Sequence, residues 1–311
     1  MALIAAHADW SVDPRKRWAV VARQDGAKWQ VEAPRPVGDP AGFAQALLAE
    51  GAPAALGLDL PLGVPRGYAA QRPEAGFLPF LAARAGDTRF FTVNPMLDGV
   101  TLDAPFYPAR GVKGMTRAAH AAALGLHGPR ALNRWCDAAT ALRPAGAPVF
   151  WTLGANQSGK AAIAAWRDWL APALAAGAPL DLWPFAGGLH ALLRRGRLAV
   201  AEVYPAEALR QLGLRLAGSK RSQAPRRALA AALAAAMDAL GAEPTPALRA
   251  ALEDGFGADA AGEDRLDATL GVLALIAVLD GRRADHIPDD GWVRRWEGWV
   301  LGQAELPRER P

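Results

Sequence analysis

Four carboxylates in this chain stand where a carboxylate is costly. Asp9 lies within the apolar run LIAAHADWS, and Asp59 falls near the end of AALGLDLPLG, two residues before Pro61. Asp264 and Asp267 open the stretch EDRLDATLGVLAL, three residues apart and so on one face of the helix that this stretch predicts. An unpaired buried carboxylate is strongly unfavourable, so such groups are hydrogen-bonded, paired or bound to metal. The dipole at a helix N-terminus eases two anions there only in part. Four converging acids repel one another unless one or two divalent cations neutralise them, and an all-oxygen donor set suits Mg²⁺ or Mn²⁺. The ordinary alternative is Asp264 as a cap or first-turn residue, with Asp267 answering Arg265 or another arginine.

A second pattern is GANQSGK, residues 154 to 160, between the apolar VFWTL and the helix-compatible AAIAAWRDWL. G-x-x-x-x-G-K is the skeleton of a P-loop, whose backbone N–H groups wrap a phosphate while the lysine, here Lys160, neutralises it. The Ser or Thr that would hold Mg²⁺ after the lysine is replaced by Ala161. A supporting acid is available downstream in Glu202, which ends RLAVAE. Two readings follow: a cradle for a nucleotide phosphate, or a glycine-permitted turn from strand to helix.

The remaining reactive residues are few. His7 shares a strand face with Asp9, two residues away, and serves either proton transfer or the core. Cys136 is the only cysteine, which excludes an internal disulfide, and no base accompanies it in the sequence. At 311 residues and 51% hydrophobic the chain can bury a large core, and its formal charge of +4 is slight. RGVKGMTR, residues 110 to 117, is a modest basic cluster rather than a nucleic-acid arm. The longest apolar run, ATLGVLALIAVL from Ala268, has twelve residues and predicts a buried helix, short of the roughly twenty needed to span a membrane. With no basic leader in MALIAAHADW, the expected location is the cytoplasm, without a membrane partner.

The elements that would position these groups open as β-β-β-α-β. Three β-compatible runs, LIAAHADWS, RWAVVARQ and KWQVEAP, precede DPAGFAQALLAEG, a helix with Asp39 as cap, Pro40 in its first turn and Gly51 at its close. AALGLDLPLG then reads as a strand covered on both faces. Ligands of open sheets gather at the carboxyl ends of strands, so parallel neighbours would set Asp9 beside Asp59. From about 66 to 148 no period is sustained, which marks an insertion. RLAVAEVYP restores a strand, a helix runs from about Ser222 to Leu240, and the last apolar helix begins near Glu263. In the tail, Trp292, Trp296 and Trp299 have the spacing of one helical face, predicting a tryptophan-rich helix over about 290 to 303 that packs on the core.

The order of these features resembles the RNase H-like superfamily, especially its Holliday-junction resolvase branch. AEVYPAEALRQLGLRLAGSKRSQAPRRAL looks like that branch's strand, helix and lysine segment, with Glu202, Pro205, Lys220 and Gln223 at the matching positions. GLDLPLG, AEVYP, GSKRSQ and EDRLDA together, with FWTLGANQSGKAAIAAW, are similar to domain-of-unknown-function family 429, a predicted RNase H-like family. The resemblance implies one α/β domain over residues 1–311, with an RNase H-like mixed sheet of three antiparallel strands followed by parallel strands, flanked by helices. It also implies a divalent-metal-dependent nuclease in which Asp9, Asp59 and Asp267, assisted by Asp264 or Glu202, hold one or two Mg²⁺ or Mn²⁺ ions. Lys220 or Lys160 would meet a substrate phosphate, and the partner would be DNA or RNA. The competing expectations are a nucleotide-binding or ATP-using protein gripping phosphates through GANQSGK, and a non-catalytic RNase H-like module.

Overall fold

The structure is a computed structural model that describes residues 2–111, 113–153 and 158–308. Its backbone contacts divide into two compact units, residues 1–59 with 188–286, and residues 60–187 with 287–311.

The first unit is built on a mixed sheet. β1 (Ile4–Asp9), β2 (Trp18–Asp25) and β3 (Lys28–Val31) run antiparallel in succession, and the two-residue β4 (Arg35–Pro36) pairs with β2. The helix α1 (Pro40–Ala49) follows, its N-terminus capped by Asp39, whose carboxylate accepts from the Gly42 amide at 2.7 Å. It leads into β5 (Ala54–Leu58), parallel to β1, and β6 (Leu198–Glu202) lies parallel on the far side of β5. Every residue of β1, β5 and β6 is buried, as strands covered on both faces require. After β6 come α2 (Pro205–Gln211), α3 (Gln223–Leu240), β7 (Ala242–Pro244), α4 (Pro246–Asp254) and α5 (Gly262–Leu279), with β7 pairing parallel to β3. The unit is thus α/β with a mixed sheet: antiparallel pairing from β1 through β3, parallel pairing among β1, β5 and β6, and a further parallel pair, β3 with β7, at the edge. Helices flank the sheet.

α5 carries the apolar run of the sequence and is buried on all sides from Leu266 to Leu279. Such a helix belongs inside a core. It packs on β1 and β2, and two glycines let it come close. His7 is fully buried on β1, and its ring lies between Gly57 on β5 and Gly271 on α5. A Cβ at Gly271 would stand 2.2 Å from His7 Nδ1, and one at Gly57 would stand 2.8 Å from its Cδ2. The imidazole fills the space two side chains vacate. Nε2 faces the Val203 carbonyl at 3.3 Å, and burial pulls the pKa of His7 down to about 4, so it stays neutral. His7 is therefore the hydrogen-bonded core histidine of the two expectations.

The second unit is made of short helices, turns and an aromatic core. Its elements include helices Arg66–Ala69, Phe77–Ala82, Arg117–Ala123 and Ser158–Ala165, and the strand Leu180–Leu182. Tyr68, Phe77, Phe80, Phe90, Phe106 and Phe150 are buried, with ring centroids between 4.6 and 6.3 Å along their contacts. A buried fork joins Arg134 to Asp137 through two bonds of 2.9 Å, and Arg66 reaches Asp290 at 2.9 Å and Glu297 at 3.1 Å. The tail departs from the expected helix over 290–303. Helical structure covers only 291–297, because Gly298 at φ +67° and ψ −172° turns the chain out of the helix. Trp296 and Trp299 are nonetheless core residues, and Trp292 is stacked by the Arg66 guanidinium at 5.6 Å. Among the described residues no helix is long and apolar enough to cross a membrane.

The glycine socket gives a signed prediction. Glycine to alanine inside a helix ordinarily adds about 0.5–1 kcal/mol of stability. Gly271→Ala should instead destabilise by about 1–3 kcal/mol, the scale of overpacking, and combining it with His7→Ala should recover part of the loss. Urea midpoints of the four proteins in that cycle check it.

Candidate metal centre

Strand register brings three of the expected acids to one edge of the sheet. Ala8 pairs with Leu58, and Leu58 pairs with Glu202. The Asp59 amide donates to the Ala8 carbonyl at 3.1 Å, and the Val203 amide to the Leu58 carbonyl at 3.0 Å. Asp9, Asp59 and Glu202 consequently sit at the carboxyl ends of three adjacent parallel strands. Asp9 is 8% exposed, Glu202 is fully buried, and Asp59 keeps part of its surface open.

Asp9 and Asp59 are in direct contact, their carboxyl groups hydrogen-bonded to each other. Two carboxylates cannot do this unless one carries a proton or a cation stands in for it. Burial raises the pKa of Asp9 well above the ordinary carboxylate range, and the negative charges of Asp59, Asp267 and Asp264 push the same way. Burial and the charge of Asp267 raise Asp59 to about 7, although Lys220 and the bond from Asp9 work against the rise. Burial and the surrounding negative charge favour a proton on the pair as a whole.

α5 adds its acids from the other side of this strand edge. Asp264 lies in the first turn, half-buried, and Asp267 is 5% exposed, one helical turn before Gly271. Burial, then the charges of Asp267 and Glu263, lift Asp264 to about 6. Asp267 is raised by burial, with Lys220 opposing the rise. The glycine socket around His7 has a second use here. It holds α5 against the strand that carries Asp9, and Asp267 lies i, i+4 from Gly271 on the same helical face.

The cation that answers Asp267 is Lys220, rather than Arg265 or another arginine as in the ordinary alternative. Arg265 is drawn away to Asp259 at 3.1 Å and lies over the Trp18 ring at 4.3 Å. The Lys220 ammonium pairs with the Asp267 carboxylate and lies 3.2 Å from Glu263. Burial of the ammonium disfavours its charge, but Asp267, Glu263 and Asp59 outweigh that and raise its pKa. Gln223 turns to Asp254, donating to its carbonyl at 2.6 Å and its carboxylate at 3.0 Å. Pro205 opens α2. Lys160 is in the second unit, on the helix Ser158–Ala165, and Gly154 to Gln157 of GANQSGK fall outside the described residues.

Two contributors were not picked out from the sequence. Glu263 shares Lys220 with Asp267, and its place directly before Asp264 was the available signal. Arg226 fastens the lysine loop from a position 1% exposed, donating to the carbonyls of Lys220, Gly255 and Gly257. An arginine one turn into an alanine-rich helix gives no sign of such a role.

The donor set has the chemistry of a hard-cation site. All its acids supply oxygen, and the strongest electrostatic neighbours of buried Asp9 are themselves acids. Among the described residues, Asp9, Asp59, Asp264 and Asp267 do not bring three carboxylate oxygens within 4.8 Å of one another. The arrangement is a close pair, with the third acid held by an ammonium. The pair alone would offer a hard cation two carboxylates, leaving the rest of its shell to other oxygen donors. No family model, curated protein or solved structure matches the chain.

The raised carboxyls fix the sign of a pH effect. Asp59 titrates near 3.8 when unfolded and near 7 when folded, so between these values the folded protein binds more protons. Stability contributed by this group is therefore present at acid pH and is lost as pH rises through about 7. In chelator, wild type should lose stability relative to Asp59→Asn as pH rises from about 4 to about 7, measured by urea midpoints of both proteins. A difference that stays flat across that window would contradict the assignment.

Proposed function

We propose that the chain is a divalent-metal-dependent hydrolase of phosphodiester bonds in nucleic acid, working at the Asp9, Asp59 and Asp267 cluster. The observation that carries the proposal is Asp9, more than nine-tenths buried, hydrogen-bonded to a second carboxyl and surrounded by further acids. Such a group needs a proton or a cation as its partner, and functional sites are where buried, acid-crowded carboxyls cluster. The direction to nucleic acid comes from chain order. An acid in the first strand, an acid ending the parallel strand beside it, a lysine loop and a late helix with D-x-x-D resemble RNase H-like nucleases, as in family 429 and the Holliday-junction resolvase branch.

In this proposal Asp9 and Asp59 hold Mg²⁺ or Mn²⁺ together, with Asp264 and Asp267 as the reserve of charge from the helix. The bound ion supplies an activated water and offsets charge on the departing oxygen. The residues of the chain do the positioning. Asp9 is fixed by the sheet, Asp59 keeps an open side toward solvent, and Asp267 is set by the packing of α5. Lys220 places one positive charge where the phosphate of a substrate would collect negative charge. Glu202, at the end of β6, adds to the field that raises Asp59.

The test is cleavage of labelled single-stranded, duplex and branched DNA and RNA with Mg²⁺ or Mn²⁺. Asp9→Asn and Asp59→Asn should each lose at least about a hundredfold in rate, the scale of removing one electrostatic element of a site, with circular dichroism unchanged. Metal-dependent cleavage that persists undiminished in folded Asp59→Asn would overturn the assignment.

A further inference from the structure

Around the strand edge, Asp9, Asp59, Glu263, Asp264 and Asp267 gather, with Lys220 in contact with Asp267 and Glu263 and the exposed Arg221 3.7 Å from Glu263. The ammonium is shared unevenly. It is bonded to Asp267, whose side chain is 6% exposed, and lies 3.2 Å from Glu263, whose side chain is 23% exposed. Lys220 itself is 41% exposed along its side chain, so its head can reach water by rotating its stem. Asp9 and Asp59, by contrast, have each other.

The backbone of Lys220 is not free to follow. Its carbonyl accepts from Arg226 Nη1, while Arg226 Nε donates to Gly255 at 2.8 Å and Nη2 to Gly257 at 2.6 Å. The same guanidinium lies against Gly262, the first residue of α5, where a Cβ would stand 2.2 Å from Nη2. Among the described residues no carboxylate pairs with Arg226. Its charge is spent on three carbonyls, and these tie the lysine loop to the segment leading into α5. The result is an ammonium on a flexible four-carbon arm whose root is clamped beside the acids.

We propose that Lys220 is a tethered counter-ion: it occupies Asp267 in the metal-free protein, competes with the divalent cation for that carboxylate, and must be displaced before the ion can gain a third acid. The inference rests on the preceding reading that these acids bind a divalent cation. An ammonium and a divalent ion cannot both have the Asp267 Oδ2 that Lys220 holds, so each weakens the other's hold. Arg226 keeps the loop root in place during the exchange, and only the side chain of Lys220 swings. Lys220 thereby sets the cation concentration at which the site loads and suppresses repulsion among the acids while the ion is absent.

Calorimetric Mn²⁺ titrations of wild type, Lys220→Met and Asp59→Asn, in low salt at pH 8, test the competition. Lys220→Met should bind Mn²⁺ at least about tenfold more tightly than wild type, the scale on which groups around metal ligands act, and Asp59→Asn should lose binding. If wild type binds and folded Lys220→Met binds equally or more weakly, the competition is overturned while the metal site stands. Absence of binding to both wild type and Lys220→Met would overturn the metal reading and the competition together. Because Lys220→Met removes a charge from an acidic cluster and could unfold, wild type supplies a second measurement. In protein labelled with ¹⁵N-lysine, the Lys220 ammonium resonance should shift or vanish as Mg²⁺ saturates the site, and an unchanged resonance at saturation would overturn the competition.

Discussion

The hydrogen bond between the carboxyls of Asp9 and Asp59 constrains everything around it. The backbone sets their proximity, because parallel pairing of β1 with β5 brings the two strand ends level. The two residues are rooted on adjacent strands, and their carboxyls meet. The pair must therefore share a proton or a cation, and with Asp9 buried the choice is linked to the stability of the whole unit. Neutral pH lies close to the value of about 7 reached by Asp59, so the pair is poised between the two partners.

The rest of the first unit can be understood as support for that pair. His7, two residues before Asp9, takes the space left by Gly57 and Gly271 and so fixes the distance between sheet and helix. That distance sets where Asp267 arrives. Lys220 then relieves part of the repulsion, and Arg226 holds the lysine loop through three carbonyls. A buried arginine without a carboxylate partner among the described residues is a costly way to hold a loop. Its use here is consistent with a site where one more acid would add to an existing excess.

Much of the scaffold was legible because the apolar pattern was unbroken. Asp9 and Asp59 stood out as acids in or at the end of strand-like runs, and the same runs gave β1, β2, β3, α1 and β5 within a few residues. α5 was legible from twelve apolar residues in succession. Partnerships across long sequence distances were not. Lys220 is 47 residues from Asp267, and Arg265, the nearer choice, is diverted by Asp259 and Trp18. The glycine socket escaped notice because a glycine in an alanine-rich helix looks like composition until the ring it accommodates is seen. In the tail, tryptophan spacing suggested a long helix, but Gly298 ends the helical segment after Glu297 while leaving Trp296 and Trp299 in the core.

The central claim is that the Asp9–Asp59 pair exchanges its proton for a divalent cation. The most direct measurement is the number of protons released on Mg²⁺ binding, obtained by calorimetry at pH 6.5 in buffers of different ionisation enthalpy. Release of at least about one proton per ion, absent in Asp59→Asn, is the result expected when a metal takes over protonated ligands. Binding with no proton release, or release that is the same in Asp59→Asn, would show that the ion and the shared proton belong to different places and would contradict the account.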